Sequence, residues 1–160
     1  MGNICRSPTA EGVFRKLHQE LAPQLKLHIA SAGTHAYHVG EPPDRRSQMA
    51  ARRRGIDIGA HRGRVLTTAD FTDFHYILAM DEQNLQELRQ IRPQASCGEL
   101  RLLLEFADGA LQREVPDPYY CGPSGFEAVL DLVELGSLGL IRHICREQGF
   151  ELALPREAHS

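Results

Sequence analysis

The residues Gly2-Asn3-Ile4-Cys5-Arg6-Ser7 run straight into a segment with helix-start chemistry. The first turn of a helix offers unpaired backbone N–H groups and the positive end of the helix dipole. A preceding loop with a glycine can turn further N–H groups inward as an anion nest. Arg6 adds a planar fork that fits two phosphate oxygens. Together these make a seat for a dianion; the plainer reading is that Arg6 is a surface residue of an unstructured N-terminus. A second run, Val115-Pro116-Asp117-Pro118-Tyr119-Tyr120, places a carboxylic acid between prolines that stiffen it. Such an acid can protonate a leaving phenolate, and Tyr119 and Tyr120 can wall an aromatic ring. The same run also reads as an ordinary turn. Cys5 lies beside Arg6 and a helix start, which favours a lowered thiol pKa. A cysteine immediately before the arginine nevertheless sits on the rim of such a loop, not on the floor from which a nucleophile attacks.

The elements that must position these groups alternate in type. Ser7-Pro8 suits a helix start, and Ala10, Val13, Phe14, Leu17 and Leu21 give it one apolar stripe that Pro23 ends. Leu25, Leu27 and Ile29 alternate with polar residues, as in a strand. Pro42-Pro43-Asp44 opens a second helix that stops at Gly55. Tyr76 to Ala79 reads as a buried strand, and Asp81 as the cap of a helix with Leu85, Leu88 and Ile91 inward. Leu100 to Phe106 is an apolar strand. A long loop leads to a helix capped by Ser124, in which Gly136 and Gly139 each weaken the middle by about 1 kcal/mol relative to Ala. The expected fold is therefore α/β, with a small parallel sheet flanked by helices in one domain spanning 1–160. One element is out of place: phosphate loops of this kind join a buried strand to a helix, and no strand stands ahead of Gly2.

The 160 residues carry a net charge of −3 and a pI of about 6.2, which gives no general attraction to nucleic acid or anionic membrane. No secretory h-region and no apolar run of membrane-spanning length occur, so a cytoplasmic protein is expected. Cys5, Cys97, Cys121 and Cys145 lack zinc-site spacing and CxxC pairing, and reduced thiols are expected. No metal or other cofactor is called for. Arg45, Arg46, Arg52, Arg53 and Arg54 read as a solvated helix face, with RNA binding the remote alternative. Nothing speaks to oligomeric state.

The stretch from Gly2 to Arg15, GNICRSPTAEGVFR, resembles the segment that follows the nucleophilic cysteine in low-molecular-weight protein tyrosine phosphatases. The resemblance extends through Ser31-Ala32-Gly33-Thr34, Gly40 to Arg46, His61-Arg62-Gly63-Arg64, Ile77 to Asp81 and the Asp117-Pro118 run. His75 departs from it, standing where the family commonly has Asp. It implies a flavodoxin-like strand order, Arg6 and Asp117 as catalytic residues, residues Gly2 to Ser7 as the phosphate-binding loop, and Tyr119 and Tyr120 as the substrate wall. It also implies that His61, otherwise readable as a solvated loop histidine, orders the loop through Asn3 and Ser7. In that family a thiolate displaces the phenolate from phosphorus, the acid protonates the leaving oxygen, and the same residue then activates water to hydrolyse the phosphocysteine. Counting six residues back from Arg6 passes Met1, so the first strand and the nucleophile are missing from the 160 residues. A longer natural chain, begun upstream of Met1, is expected.

The implied partner is a phosphotyrosine-containing protein, with no nucleic acid and no membrane. Ile4 is similar to the tyrosine branch, whereas relatives acting on phosphoarginine tend to carry Thr there. An arsenate reductase of the same fold and a phosphate-binding pseudophosphatase stand as alternatives.

Overall fold

The structure is a computed structural model that describes residues 2–119 and 121–153. Helix α1 runs over Arg6–Leu21, α2 over Arg45–Arg53, the short α3 over Asp70–Asp73, α4 over Glu82–Ile91 and α5 over Pro123–Gln148. Strands β1, Tyr76–Ala79, and β2, Glu99–Leu102, pair in parallel with Tyr76 opposite Glu99 and Ala79 opposite Leu102. The architecture is α/β, a small parallel sheet flanked by helices. Three apolar clusters hold it together. One joins α1, α2 and the first half of α5 through Val13, Ala51, Phe126 and Val133. A second joins the far end of α1 to the second half of α5 through Ala22, Ile141 and Ile144. The third packs α4 on the sheet through Leu85, Leu88, Ile77 and Leu102.

Several element ends differ from the sequence expectations. Ser7 lies inside the first turn of α1, whose cap is Cys5, because the loop delivers Arg6 already in helical geometry. Ser124 is likewise internal: Gly122 caps α5 and Pro123 takes the first helical position, where a missing N–H costs nothing. Asp81 caps α4 as expected, accepting from Asn84 N at 2.8 Å, and Asp44, in the run expected to open the second helix, caps α2 by accepting from Arg46 N at 2.8 Å. Leu103–Phe106, read as strand, turns into a single 3-10 turn after β2.

Residues 25–30 form no strand, although burial alternates from Leu25 inward to Lys26 outward and onward with a period of two. The nearest ladder contact is a single parallel bridge from Gly33 to Val65.

Gly136 and Gly139 are not merely weak points in α5. A Cβ at Gly139 would lie 1.7 Å from the Phe106 carbonyl oxygen, and one at Gly136 would lie 2.7 Å from Leu103 Cγ. The glycines let α5 press directly on the 3-10 turn.

Arg45, Arg46, Arg52 and Arg53 are exposed, as a solvated helix face requires, while Arg54 is half-buried. Arg54 reaches Glu127 at 2.9 Å and Asp131 at 2.8 Å on α5, and Arg53 reaches Glu127 at 3.6 Å. Arg46 turns toward the 115–121 segment.

Candidate active site at the head of helix α1

Asn3 fixes the loop ahead of α1. Its φ of 61° is left-handed, a conformation that side chains other than Asn and Asp seldom adopt. The backbone turns there so that the following residues can enter α1. Asn3 is 2% exposed, and its amide is fully used. Nδ2 donates to Ser7 Oγ at 2.7 Å and to Ser31 Oγ at 3.1 Å, while Oδ1 accepts from His61 Nε2 at 2.9 Å and from Arg64 N at 3.1 Å. One side chain thereby ties the loop to α1, to the 25–33 segment and to the 61–65 turn. The Ile4 carbonyl accepts from Asp44 N at 2.8 Å, which pins the loop to the start of α2 as well.

His61 holds Asn3 as expected, but its second partner is Glu11, not Ser7. Nδ1 lies 3.3 Å from Glu11 Oε2, and Ser31 Oγ donates to the same oxygen at 2.6 Å. Burial alone would raise the Glu11 carboxyl, but hydrogen bonds from His61, Ser31 and Arg15 outweigh it and hold the pKa at about 2. Glu11 escaped the sequence reading. Its signal was there: it stands one turn after Ser7 on α1, on the face that carries the loop.

Arg6 is 4% exposed. Its Nη1 donates to Asp81 Oδ2 at 2.5 Å and to the Val115 carbonyl at 2.7 Å. Val115 is itself anchored, its N–H donating to the Met80 carbonyl at 2.8 Å. The guanidinium is therefore oriented by the end of β1 and by the segment that carries Asp117. Nε and Nη2 make no hydrogen bond among the described residues and keep three N–H donors for an anion.

Asp117 is exposed, between the buried Val115 and Pro118. Its Oδ1 accepts from Tyr119 N at 3.0 Å. Arg46 holds this segment down: Nη1 donates to the Tyr119 carbonyl at 3.0 Å, and the guanidinium carbon lies 5.3 Å from the Tyr119 ring centroid. Asp117, Tyr119 and the whole of loop 2–7 line one cavity of about 930 Å³. Tyr120, the other wall residue expected from sequence, lies outside the described residues.

Cys5 reverses its expectation. Burial pushes its thiol up to about 11, aided by the nearby carboxylates Asp44 and Asp117, against smaller effects of Ser47 and Arg46. A buried neutral thiol at this pKa is a poor nucleophile. Among the described residues, no group of three or more His, Cys, Asp or Glu side chains could hold a metal ion, and no helix is long and apolar enough to cross a membrane.

Comparison with known proteins agrees over most of the chain. The family model described as low molecular weight phosphotyrosine protein phosphatase matches residues 1–149. The chain is 36% identical over 148 residues to a low molecular weight protein-tyrosine-phosphatase of Bacillus subtilis, covering 92% of this chain and 94% of that protein. It is 42% identical over 130 residues to the human low molecular weight phosphotyrosine protein phosphatase, covering 81% and 82%. Among solved structures, a protein tyrosine phosphatase of Entamoeba histolytica with Hepes in its active site superposes with a TM-score of 0.84 at 38% identity, covering 93% and 94%. The chain belongs to the low molecular weight phosphotyrosine protein phosphatases, a family of hydrolases.

Proposed function

We propose that this chain receives the phosphotyrosine side chain of a protein and seats its phosphoryl group in loop 2–7. The amides of Gly2 to Ser7 and the free donors of Arg6 bind the equatorial oxygens, and Tyr119 flanks the ring. Asp117 gives its proton to the phenolate oxygen as the ester bond breaks. The observation that supports this most is the Asn3 network: a left-handed residue, buried and held by four hydrogen bonds, at the mouth of a helix that shares a cleft with an exposed carboxylic acid. Strain of this kind is kept where a loop must present its amides to a ligand.

Turnover also takes a thiolate on the loop floor. Cys5 is buried and its thiol is pushed up to about 11, so it is a poor source of one. Residues 1–160 are therefore expected to bind phosphotyrosine without hydrolysing it. Fluorescence polarisation with a labelled phosphotyrosine peptide tests the binding. Arg6→Ala is expected to weaken it at least tenfold, from the loss of charge-assisted bonds worth roughly 1.5–3 kcal/mol, with Asp117→Asn binding much as before. Equal affinity for the phosphorylated and unphosphorylated peptide would overturn the reading.

A further inference from the structure

The segment that carries Asp117 is held on both sides of the acid by an arginine side chain. On the Val115 side, Arg6 Nη1 donates to the Val115 carbonyl at 2.7 Å from the head of α1. On the Tyr119 side, Arg46 Nη1 donates to the Tyr119 carbonyl at 3.0 Å from the first turn of α2. Between the two holds lie Asp117 and the stiff residues Pro116 and Pro118. Tyr119 is engaged at both backbone groups. Its N–H donates to Asp117 Oδ1 at 3.0 Å, while its carbonyl takes the Arg46 hydrogen bond. Arg46 therefore acts on the Asp117 carboxylate through a single intervening residue.

Arg46 is also tied back to the phosphate loop. Nε reaches Asp44 Oδ1 at 3.1 Å and Nη2 reaches Asp44 Oδ2 at 2.9 Å, a two-point grip. Asp44 N in turn donates to the Ile4 carbonyl at 2.8 Å. Hydrogen bonds from Arg46 outweigh burial and hold the Asp44 carboxyl below its ordinary value, so the pair is ionised. The guanidinium carbon lies 5.3 Å from the Tyr119 ring centroid and 4.8 Å from that of Phe126, which is buried near the start of α5. A planar fork can grip a carboxylate, donate to a carbonyl and lie against rings at once; an ammonium carries the same charge without that geometry. The Arg46 side chain is 46% exposed, so this pair adds little to the stability of the fold, and its effect is on geometry.

We propose that Arg46 is a positioning residue that sets the span between loop 2–7 and the Asp117 segment, and thereby the preference for an aryl phosphate over bare phosphate; the preference rests on the function proposed above. Loop 2–7 and Arg6 hold a phosphoryl group whether or not a ring is attached to it. A ring needs Tyr119 already in place, and the Asp44–Arg46 pair keeps it there. Without the fork, binding the ring must also order Tyr119, which lowers affinity for the ring-bearing ligand alone.

Arg46→Lys in the 160-residue chain keeps the charge beside Asp44 and removes the fork; Arg45→Lys, at the exposed neighbour, is the control. Backbone ¹⁵N order parameters of the ligand-free chains test the hold. At Tyr119 and Cys121, whose N–H groups are hydrogen-bonded within the segment, they are expected to fall from about 0.85 to below about 0.6 in Arg46→Lys. They are expected to stay unchanged in α1 and throughout Arg45→Lys. Order parameters at Tyr119 and Cys121 that do not move overturn the hold. Calorimetric titration with phenyl phosphate and with inorganic phosphate tests the preference. Arg46→Lys is expected to weaken phenyl phosphate at least fivefold and inorganic phosphate less than twofold. Equal weakening of both ligands, or of neither, overturns the preference. A wild-type chain that binds neither ligand overturns the function proposed above and the preference with it, while a fall in the order parameters still upholds the hold of Arg46 on the acid segment.

Discussion

Asn3 does the work of several residues, and its two liabilities can be separated. Asn3→Ala loses four hydrogen bonds, leaves buried partners unsatisfied and keeps a Cβ at positive φ. It is expected to cost about 3 kcal/mol. Asn3→Gly loses the same bonds but not the strain, so it is expected to recover about 1 kcal/mol; urea denaturation of both variants measures the difference. Glu11 makes a pH prediction. Its carboxyl sits at about 2 in the fold, against an ordinary value of 4.5. A depressed pKa contributes stability that is full above about 4.5 and drains away as pH falls toward about 2. Glu11→Gln is expected to flatten the stability profile in that window, read from melting midpoints between pH 2 and 5. The sequence made Arg6, Asp117 and the loop legible, because they are contiguous motifs. It hid Glu11 and misjudged Cys5. Which carboxylate meets His61, and how deep a thiol lies, depend on packing between segments far apart in the chain.

At the scale of elements, the Asp81 cap, the opening of α2 at Pro42 to Asp44 and the presence of both strands were readable, since local chemistry decides them. Ser7 and Ser124 show the limit. Serine is a good cap wherever it falls, but tertiary placement of the preceding loop chose Cys5 and Gly122 instead. The α5 glycines show the limit of propensity more sharply. A helix scale says that Gly139→Ala gains about 1 kcal/mol. The 1.7 Å approach of a Cβ to the Phe106 carbonyl says the opposite. Gly139→Ala is expected to lose about 1–3 kcal/mol through overpacking, checked by thermal unfolding against an exposed alanine control in α5.

For the whole molecule, the alternation at 25–30 was correctly seen in the sequence, yet a strand needs a neighbour, and among the described residues none pairs with this segment. One cavity is lined by that segment and by the loop that Asn3 shapes. That loop as a dianion seat is the central claim. The most direct measurement is a titration of the ¹⁵N-labelled chain with tungstate, following every backbone amide. Saturable shifts centred on Asn3 to Ser7, weakened at least tenfold in Arg6→Lys for want of a planar fork, are the predicted result. Shifts confined to the arginines of α2, with the Asn3 to Ser7 amides unmoved, would contradict it.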